Sequence, residues 1–407
     1  MKKQSDKYFL LPILVIMMAF MISDYKVLCN MVGSACTVLL LIYISGKYYS
    51  GVVEKKYSTY FILFLVYYTL SSLFEFNPSW WIRYLIYYLM LFSPFLLCNY
   101  ILGGNDRTLI KYILGAFFII WTVFCVLCTQ SCMAIPDLAR LMAAYRSEYY
   151  QMINGGGYPM GYAAVILSTF LFNQLLSGNI KSKFWRIFFY AQLGMMAIMV
   201  LTINSFIILV GLIIGYGINI IGRVAKTGSS RMFSYVTIGM FSLVIYLNIG
   251  SILLFLVNNT QDEFWHHRWV ETYDSVVLGQ DSHHIDHRQE MYDISLEGFK
   301  ENPVFGVGYR YGNSFDHDST FKVGNHSTIL DTLAQYGIVG AIPLFLFLLY
   351  PVVNNRRKGF NSNYLIPFYI MAYLNPIFTC YHAMVVIYLI IPLMQHYLIN
   401  DEEYAYV

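Results

Sequence analysis

The chain has 407 residues, of which 58% are hydrophobic and only 12% are charged, and its mean hydropathy is +0.54. A soluble protein of this length carries about twice that charged fraction, so the composition excludes a soluble globular protein. The net charge of +3 indicates no nucleic-acid partner, because most basic residues lie in short loops between apolar runs, where they set membrane topology.

Apolar runs close to the length of a membrane-spanning helix recur along the chain and predict an all-α integral membrane protein. We expect one polytopic membrane domain over residues 1–407, with about 12 transmembrane helices, the first and eleventh of them short. The predicted spans are residues 8–22, 27–45, 57–74, 81–102, 110–129, 161–176, 187–203, 205–221, 232–256, 327–350, 364–376 and 377–399.

The basic residues predict the orientation of these spans. If the N-terminus is cytoplasmic, 17 of the 26 Lys and Arg residues fall on the cytoplasmic side, almost all of them in short loops. This asymmetry follows the positive-inside rule. Both termini are therefore predicted to be cytoplasmic, and two larger loops, residues 130–160 and 258–326, are predicted to face outward.

The first outer loop contains an apolar repeat. Between Leu138 and Met152, large apolar residues recur at steps of three and four, which predicts an amphipathic helix. Such a helix can lie along the membrane surface.

The second outer loop concentrates the polar chemistry of the chain, with seven of the nine histidines and 12 of the 23 acidic residues. From His287 to Glu301, one helical face collects Arg288, Tyr292, Leu296 and Phe299, and Asn302-Pro303 should end this helix. An arginine on an apolar face either extends toward water or binds an anionic ligand, and both interpretations are open.

Glycines follow that helix, and a histidine precedes the next span. Gly306 and Gly308 are more typical of tight turns, or of close approach to a lipid-linked substrate, than of a nucleotide-binding loop, because no strand precedes them. Asn325 is predicted to cap the span that His326 enters, and Asp331 to orient the site or accept a hydrogen bond. Gly337 and Gly340 predict close helix packing.

The order of these residues resembles a known family. An arginine on a helix, Asn-Pro-x-x-Gly-x-Gly, a histidine at a membrane-helix entry and Gly-Ile-x-Gly are similar to the O-antigen ligase and polymerase superfamily. Here the elements are Arg288, residues 302–308, His326 and residues 337–340, and the resemblance covers roughly residues 285–342.

The resemblance implies a glycosyltransferase at the outer face of the bacterial inner membrane. The donor would be an undecaprenyl-diphosphate-linked oligosaccharide, with no cofactor and no metal. By resemblance, His326 is the base for the acceptor hydroxyl and Arg288 binds the departing diphosphate. Further expected substrate-binding residues are the outward arginines and two neighbours of the motif: Arg310, Arg146, Arg268, Asn325 and Tyr292.

Two departures from the family pattern bear on the activity. Asn325 precedes the histidine instead of following it, and the segment from Thr202 to Ser205 lacks the arginine that many members have there. Arg146 and Arg268 each precede a glycine by eleven positions, a feature associated with polymerases. We therefore expect a polymerase, with a chain-length regulator as a further partner. A ligase acting on lipid A-core is the alternative, and a lipid-linked oligosaccharide flippase is a weaker one.

A metal site is a competing interpretation of the second loop. His283 and His287 share a helical face within Asp281–His287, and residues 316–318, Asp-His-Asp, could add ligands. The alternative is that these residues bind no metal and form a solvated polar surface or a patch that contacts glycan.

Overall fold

The fold is described here from a computed structural model. It covers residues 55–73, 78–104, 106–135, 138–139, 141, 157–224, 247–261, 263–279, 283–308, 323–358, 360–377 and 380–399, together with 11–12, 14–15, 18, 35 and 39. All regular secondary structure in these residues is helical, as the composition predicts.

The helices are given in chain order. They are α1 (Lys55–Ser72), α2 (Pro78–Gly104), α3 (Arg107–Ala134), α4 (Gly157–Leu176), α5 (Lys183–Thr202), α6 (Phe206–Val224), α7 (Ile249–Asn259), α8 (Glu263–Val277), α9 (His283–Glu301), α10 (Thr328–Leu348), α11 (Tyr350–Arg357), α12 (Leu365–Leu374), α13 (Tyr381–Val385) and α14 (Ile391–Ile399). A π-helical turn, Val386–Ile390, joins α13 to α14.

Six helical segments in the described residues are long and apolar enough to cross a membrane. They are Tyr84–Gly104, Arg107–Ala134, Gly157–Leu176, Lys183–Thr202, Phe206–Arg223 and Thr328–Arg357. On the surfaces of three of them, Ile119, Ile198 and Ile213 are more than half exposed, which suits contact with lipid rather than water.

The total of twelve spans stays a prediction. Helix α12 has ten residues and is apolar but short, in agreement with the short eleventh span. Of the predicted span 232–256, the described part is α7, which continues to Asn259. The first two predicted spans lie almost entirely outside the described residues.

The core of the bundle surrounds the C-terminal helical segment, residues 381–399. This segment packs against α2, α3 and α4, and its residues from Val385 to Ile391 are at most 2% exposed. Aromatic side chains extend the core toward α1, α2 and α10, where Phe61 stacks on Phe92 and Phe347 stacks on Tyr388.

The two ends of the bundle differ in charge. One end is formed by the starts of α1, α3 and α5, the end of α6, and α11, and it carries many described basic side chains together with the carboxylate of Asp106. These basic residues are Lys56, Arg107, Lys111, Lys181, Lys183, Arg186, Arg223, Arg356, Arg357 and Lys358. The polar helices α8 and α9 belong to the loop at the other end, so the basic residues lie on the side opposite the predicted outer loops.

Residues 258–326, which are predicted to form the second outer loop, contain the helices α8 and α9. Helix α9 ends at Glu301, just before the predicted stop at Asn302-Pro303. On the face that carries Arg288 and Tyr292, Leu296 is 38% exposed, and the neighbouring Ser295 and Gly298 are buried. In the predicted first outer loop, the expected amphipathic helix lies outside the described residues except for residues 138–139 and 141, which are helical.

Candidate active site at the α9–α10 junction

Helix α10 is interrupted at Gly337, which has φ 58° and ψ −169°. An uninterrupted helix would pair the amides of Ile338 and Val339 with the carbonyls of Ala334 and Gln335, four residues earlier. These four groups instead find partners in the segment 303–308. Ile338 and Val339 donate to Pro303 and Val304 (2.9 and 3.1 Å), and Ala334 and Gln335 accept from Val307 and Gly308 (2.9 and 3.0 Å). The interruption therefore leaves none of the four groups unsatisfied.

The glycine-rich segment after α9 is thus a structural clamp on α10. A Cβ atom on Gly306 would meet the backbone of Gln335 and Gly337, and one on Gly337 would meet the backbone of Val304 and Gly306. Both glycines also have positive φ. The tight turn at these glycines agrees with the prediction, whereas the close approach is to the backbone of α10 and not, as predicted, to a substrate. Gly340 lies against Tyr67 of α1, as its predicted role in close packing requires.

Helix α9 is joined to the loop that precedes α10. The backbone of Gly324 lies so close to Met291 that a Cβ atom would meet the Met291 carbonyl. The Gly324 amide donates to the hydroxyl of Ser295, one helical turn further along α9, at 2.8 Å. Arg288, Met291 and Ser295 share one face of α9, so the arginine and the loop lie on the same side of that helix.

Asp331 organises this loop from the first turn of α10. Asp331 is 9% exposed, and its carboxylate accepts three hydrogen bonds. The donors are the Ser295 hydroxyl (2.6 Å), the Asn325 amide (3.1 Å) and the Ser327 amide (2.9 Å). Asp331 therefore accepts hydrogen bonds, as the sequence predicted, and it does so on both sides of His326.

The predicted cap of α10 was wrong. Ser327 is the N-cap, and its hydroxyl accepts from the Leu330 amide at 3.2 Å. Asn325 lies two residues earlier and has φ 54°, and its backbone N–H donates to the Asp331 carboxylate. Asparagine and serine both favour the N-cap position. Here the backbone amides of Asn325 and Ser327 both donate to Asp331, and this holds the loop in a left-handed turn at Asn325 and leaves Ser327 as the cap.

His326 is half-buried in this loop. Its Nδ1 atom lies 2.8 Å from the carbonyl oxygen of Gly324. A carbonyl only accepts, so Nδ1 carries the proton, and in the neutral imidazole the lone pair is on Nε2. This tautomer is the one that a base acting through Nε2 requires.

The side chains of Arg288 and Tyr292 contact the end of α12, next to the non-helical segment that leads to α13. The Tyr292 hydroxyl and the Arg288 guanidinium donate to the carbonyl of Leu374 at 3.1 and 3.4 Å. Burial raises the pKa of Tyr292, so its hydroxyl stays protonated and remains a donor at neutral pH. Arg288 is half-buried, and its guanidinium also interacts with the Tyr292 side chain. A guanidinium has five N–H donors, so it can bind more than one acceptor at once.

The break after α12 is also tied to α10. Thr328 donates through its hydroxyl to the Asn375 carbonyl at 2.8 Å, and that hydroxyl accepts from the Ile377 amide at 2.7 Å. The Cys380 thiol donates to the carbonyl of Pro159 at the start of α4. No sequence pattern predicts a role for Thr328 or Leu374, since only the folded chain brings residues 328 and 374–377 together.

The α9–α10 junction is the place where α9, the loop 323–327 before α10 and the break after α12 meet. Four of the seven predicted site residues lie there: Arg288, Tyr292, Asn325 and His326. Two others, Arg146 and Arg310, lie outside the described residues. The last, Arg268, is on α8, but its side chain lies outside what is described.

The predicted metal cluster comprises Asp281–His287 and residues 316–318, and its side chains also lie outside what is described. Among the described side chains, no group of three His, Cys, Asp or Glu residues is placed to hold a metal ion.

The fold and the junction define a class: a multi-pass helical membrane protein whose polar groups converge where three helical segments begin or end. Residues 191–345, from α5 to α10, match the family model described as O-antigen ligase. This segment includes Arg288, the clamp and His326. The predicted resemblance to the O-antigen ligase and polymerase superfamily is thereby confirmed. No curated protein sequence matches the chain.

The family match supports an O-antigen ligase- or polymerase-type function, carried out by membrane glycosyltransferase-like enzymes on lipid-linked oligosaccharides. Together with the apolar helices, it indicates a multi-pass protein of the bacterial inner membrane.

Proposed function

We propose that this protein is a polysaccharide polymerase that transfers a glycan from an undecaprenyl-diphosphate-linked donor to a sugar hydroxyl of a lipid-linked repeat unit. The observation that carries the proposal is that two residues lie at the same junction: a histidine whose tautomer is fixed by a carbonyl, and a half-buried arginine. The family match to residues 191–345, which contains both residues, supports it.

His326 is the proposed base. Its Nε2 atom takes the proton from the acceptor hydroxyl while the hydroxyl oxygen attacks the anomeric carbon of the donor sugar. Base catalysis of this kind contributes roughly 10²–10⁴-fold to a rate. The Gly324 carbonyl holds the ring in the required tautomer and stabilises the imidazolium that forms.

Arg288 is the proposed diphosphate-binding residue. As the anomeric C–O bond breaks, its electron pair goes to the undecaprenyl diphosphate, and a fixed guanidinium stabilises that charge. The Leu374 carbonyl and Tyr292 hold the arginine on the loop-facing side of α9. Arg146, Arg268 and Arg310 are further candidates for the same charge, and Asn325 and Tyr292 for contact with the saccharide.

The charge asymmetry of the bundle supports an outward-facing site. The basic end lies opposite the junction, and the positive-inside rule assigns the basic end to the cytoplasm. The junction then faces the outer side of the inner membrane, where lipid-linked repeat units are joined, and both termini are cytoplasmic.

A ligase is the second candidate function, and the description of the matching family favours it. Donor, base and diphosphate site would be unchanged, but the acceptor would be lipid A-core. The eleven-residue spacing of Arg146 to Gly157 and of Arg268 to Gly279 is the feature of this chain that places the polymerase first.

The test is a reconstituted assay with undecaprenyl-diphosphate-linked repeat units as the only saccharide. A polymerase produces a ladder of longer lipid-linked glycans. His326→Ala should lower the rate by roughly 10²–10⁴-fold, the contribution of a general base. The matched control is His267→Ala, since His267 is 69% exposed on α8. Product formation only after lipid A-core is added would identify a ligase, and no transfer to either acceptor would overturn both proposals.

Arg288→Lys tests the diphosphate role in the same assay. A lysine keeps the charge but not the bidentate fork, so we expect the donor KM to rise or kcat to fall, by about tenfold in kcat/KM. Lys300→Gln, an exposed position on the same helix, is the control. A wild-type kcat/KM for Arg288→Lys would show that the arginine only extends toward water.

A further inference from the structure

We infer that Asp331, acting with Ser295, is a positioning residue that holds His326 in its working geometry. This inference rests on the proposed function, in which His326 is the base. It extends that function to two residues outside the arginine, histidine and glycine pattern on which the family resemblance rests.

The two residues bind the loop on both sides of His326. The amides of residues 325 and 327 donate to the two oxygens of the Asp331 carboxylate, at 3.1 and 2.9 Å. The amide of Gly324 donates to Ser295 at 2.8 Å, and Ser295 donates onward to Asp331 at 2.6 Å. Three of the four amides from 324 to 327 are therefore fixed by one side-chain pair.

This pair also fixes the acceptor of the histidine proton. The carbonyl of Gly324, which holds Nδ1 of His326, belongs to the residue whose amide is bound by Ser295. If the loop moves, the carbonyl moves with it, and the preference for the Nε2 lone pair is lost. A left-handed conformation at Asn325 (φ 54°) is unfavourable without such support.

The burial of both residues makes the pair sensitive to small changes. Ser295 is 1% and Asp331 9% exposed, so water cannot readily replace a lost hydrogen bond. An asparagine at position 331 presents one acceptor and one donor. In either orientation of its amide, at least one backbone N–H of the loop faces a donor instead of an acceptor.

The first measurement is independent of activity. Asp331→Asn and Ser295→Ala are compared with wild-type protein by hydrogen–deuterium exchange of the peptide that covers residues 323–328. The rate at which diethylpyrocarbonate modifies His326 is followed by mass spectrometry, with His267 of the same molecule as the reference. We expect exchange in this peptide to become at least about tenfold faster in Asp331→Asn, the cost of one buried hydrogen bond to a charged group. The ratio of His326 to His267 modification should also change.

The second measurement is the transfer assay. Asp331→Asn should lower kcat by roughly 10–100-fold and Ser295→Ala by about 3–10-fold, in line with charged and neutral hydrogen bonds respectively. Donor affinity should stay within about twofold, since Arg288 is retained. The double variant should be less impaired than the product of the two single effects, because both residues act on one loop.

The outcomes separate this inference from the proposed function. Wild-type exchange and modification in both variants would overturn the positioning role, whatever the activity. If Asp331→Asn does not fold, Ser295→Ala decides, and full kcat with an unchanged loop overturns the inference. A loosened loop in a protein whose wild type transfers no glycan would retain Asp331 as the loop holder and reject the transferase.

Discussion

The α9–α10 junction and the C-terminal helical segment are held in place by different forces. At the junction, backbone groups of α10 and its preceding loop are bound by hydrogen bonds to residues from distant parts of the chain. Residues 381–399 are held mainly by apolar and aromatic packing, with Val386 to Ile391 almost completely buried. Hydrogen bonds are directional and fix the orientation of groups, whereas apolar packing mainly fixes position and volume.

This difference assigns distinct tasks to the two regions. The packed segment supplies a rigid centre against which α2, α3 and α4 rest. The junction contains interrupted helices. These are tolerated inside a membrane protein only where the freed backbone groups find hydrogen-bond partners, as they do here at Gly337. We expect substitutions at the junction to affect activity or local structure, and those in the packed segment to affect stability with little change in specific activity.

The largest expected effect comes from Gly337→Ala. The added Cβ would collide with the backbone of Val304 and Gly306 and would occupy a positive φ. We expect the unfolding free energy to fall by about 5 kcal/mol or more, the sum of backbone strain and the loss of the four backbone hydrogen bonds between α10 and residues 303–308. Thermal unfolding of the detergent-solubilised protein measures the loss.

Gly194→Ala is the matched control for Gly337→Ala. It lies inside α5, where a Cβ meets nothing within 4 Å. Alanine favours a helix over glycine by about 0.8–1 kcal/mol, so this variant should be unchanged or slightly more stable. Equal stability of the two variants would contradict the structural clamp on α10.

An intermediate effect is expected from Leu393→Ala in the packed segment. Leu393 is 0% exposed, so its truncation leaves a cavity and should cost about 2–5 kcal/mol. The specific activity of the folded fraction should stay within about twofold of wild type, because no junction residue loses a partner. A selective loss of turnover with unchanged stability would show that the two regions do not divide their tasks as described.

The smallest expected effect is that of Tyr292→Phe. This change removes the 3.1 Å hydrogen bond to Leu374 and leaves the one from Arg288 in place. The loss corresponds to about 0.5–1.5 kcal/mol in kcat/KM, or roughly 2- to 10-fold. A much larger drop in kcat/KM would assign Tyr292 a direct contact with the saccharide, and no drop at all would remove it from the site.

Much of the site could be read from the chain because its residues belong to one stretch with distinctive neighbours. Arg288 follows a polar run and lies on the same helical face as Tyr292, and His326 directly precedes an apolar span. The wrong cap, Asn325 instead of Ser327, shows where such reasoning ends. Both residue types cap helices, and only the position of the Asp331 carboxylate selects between them.

The sequence by itself determined that this protein is helical and membrane-embedded, because a chain with so few charges can satisfy its backbone in lipid only within helices. It also indicated the family, through residues close together along the chain. The tertiary structure alone decided that residues 303–308 replace the helical partners lost at Gly337, and that Leu374 and Asn375 meet Arg288 and Thr328. Those contacts join segments separated by 27 to 86 positions, and no local pattern encodes such a pairing.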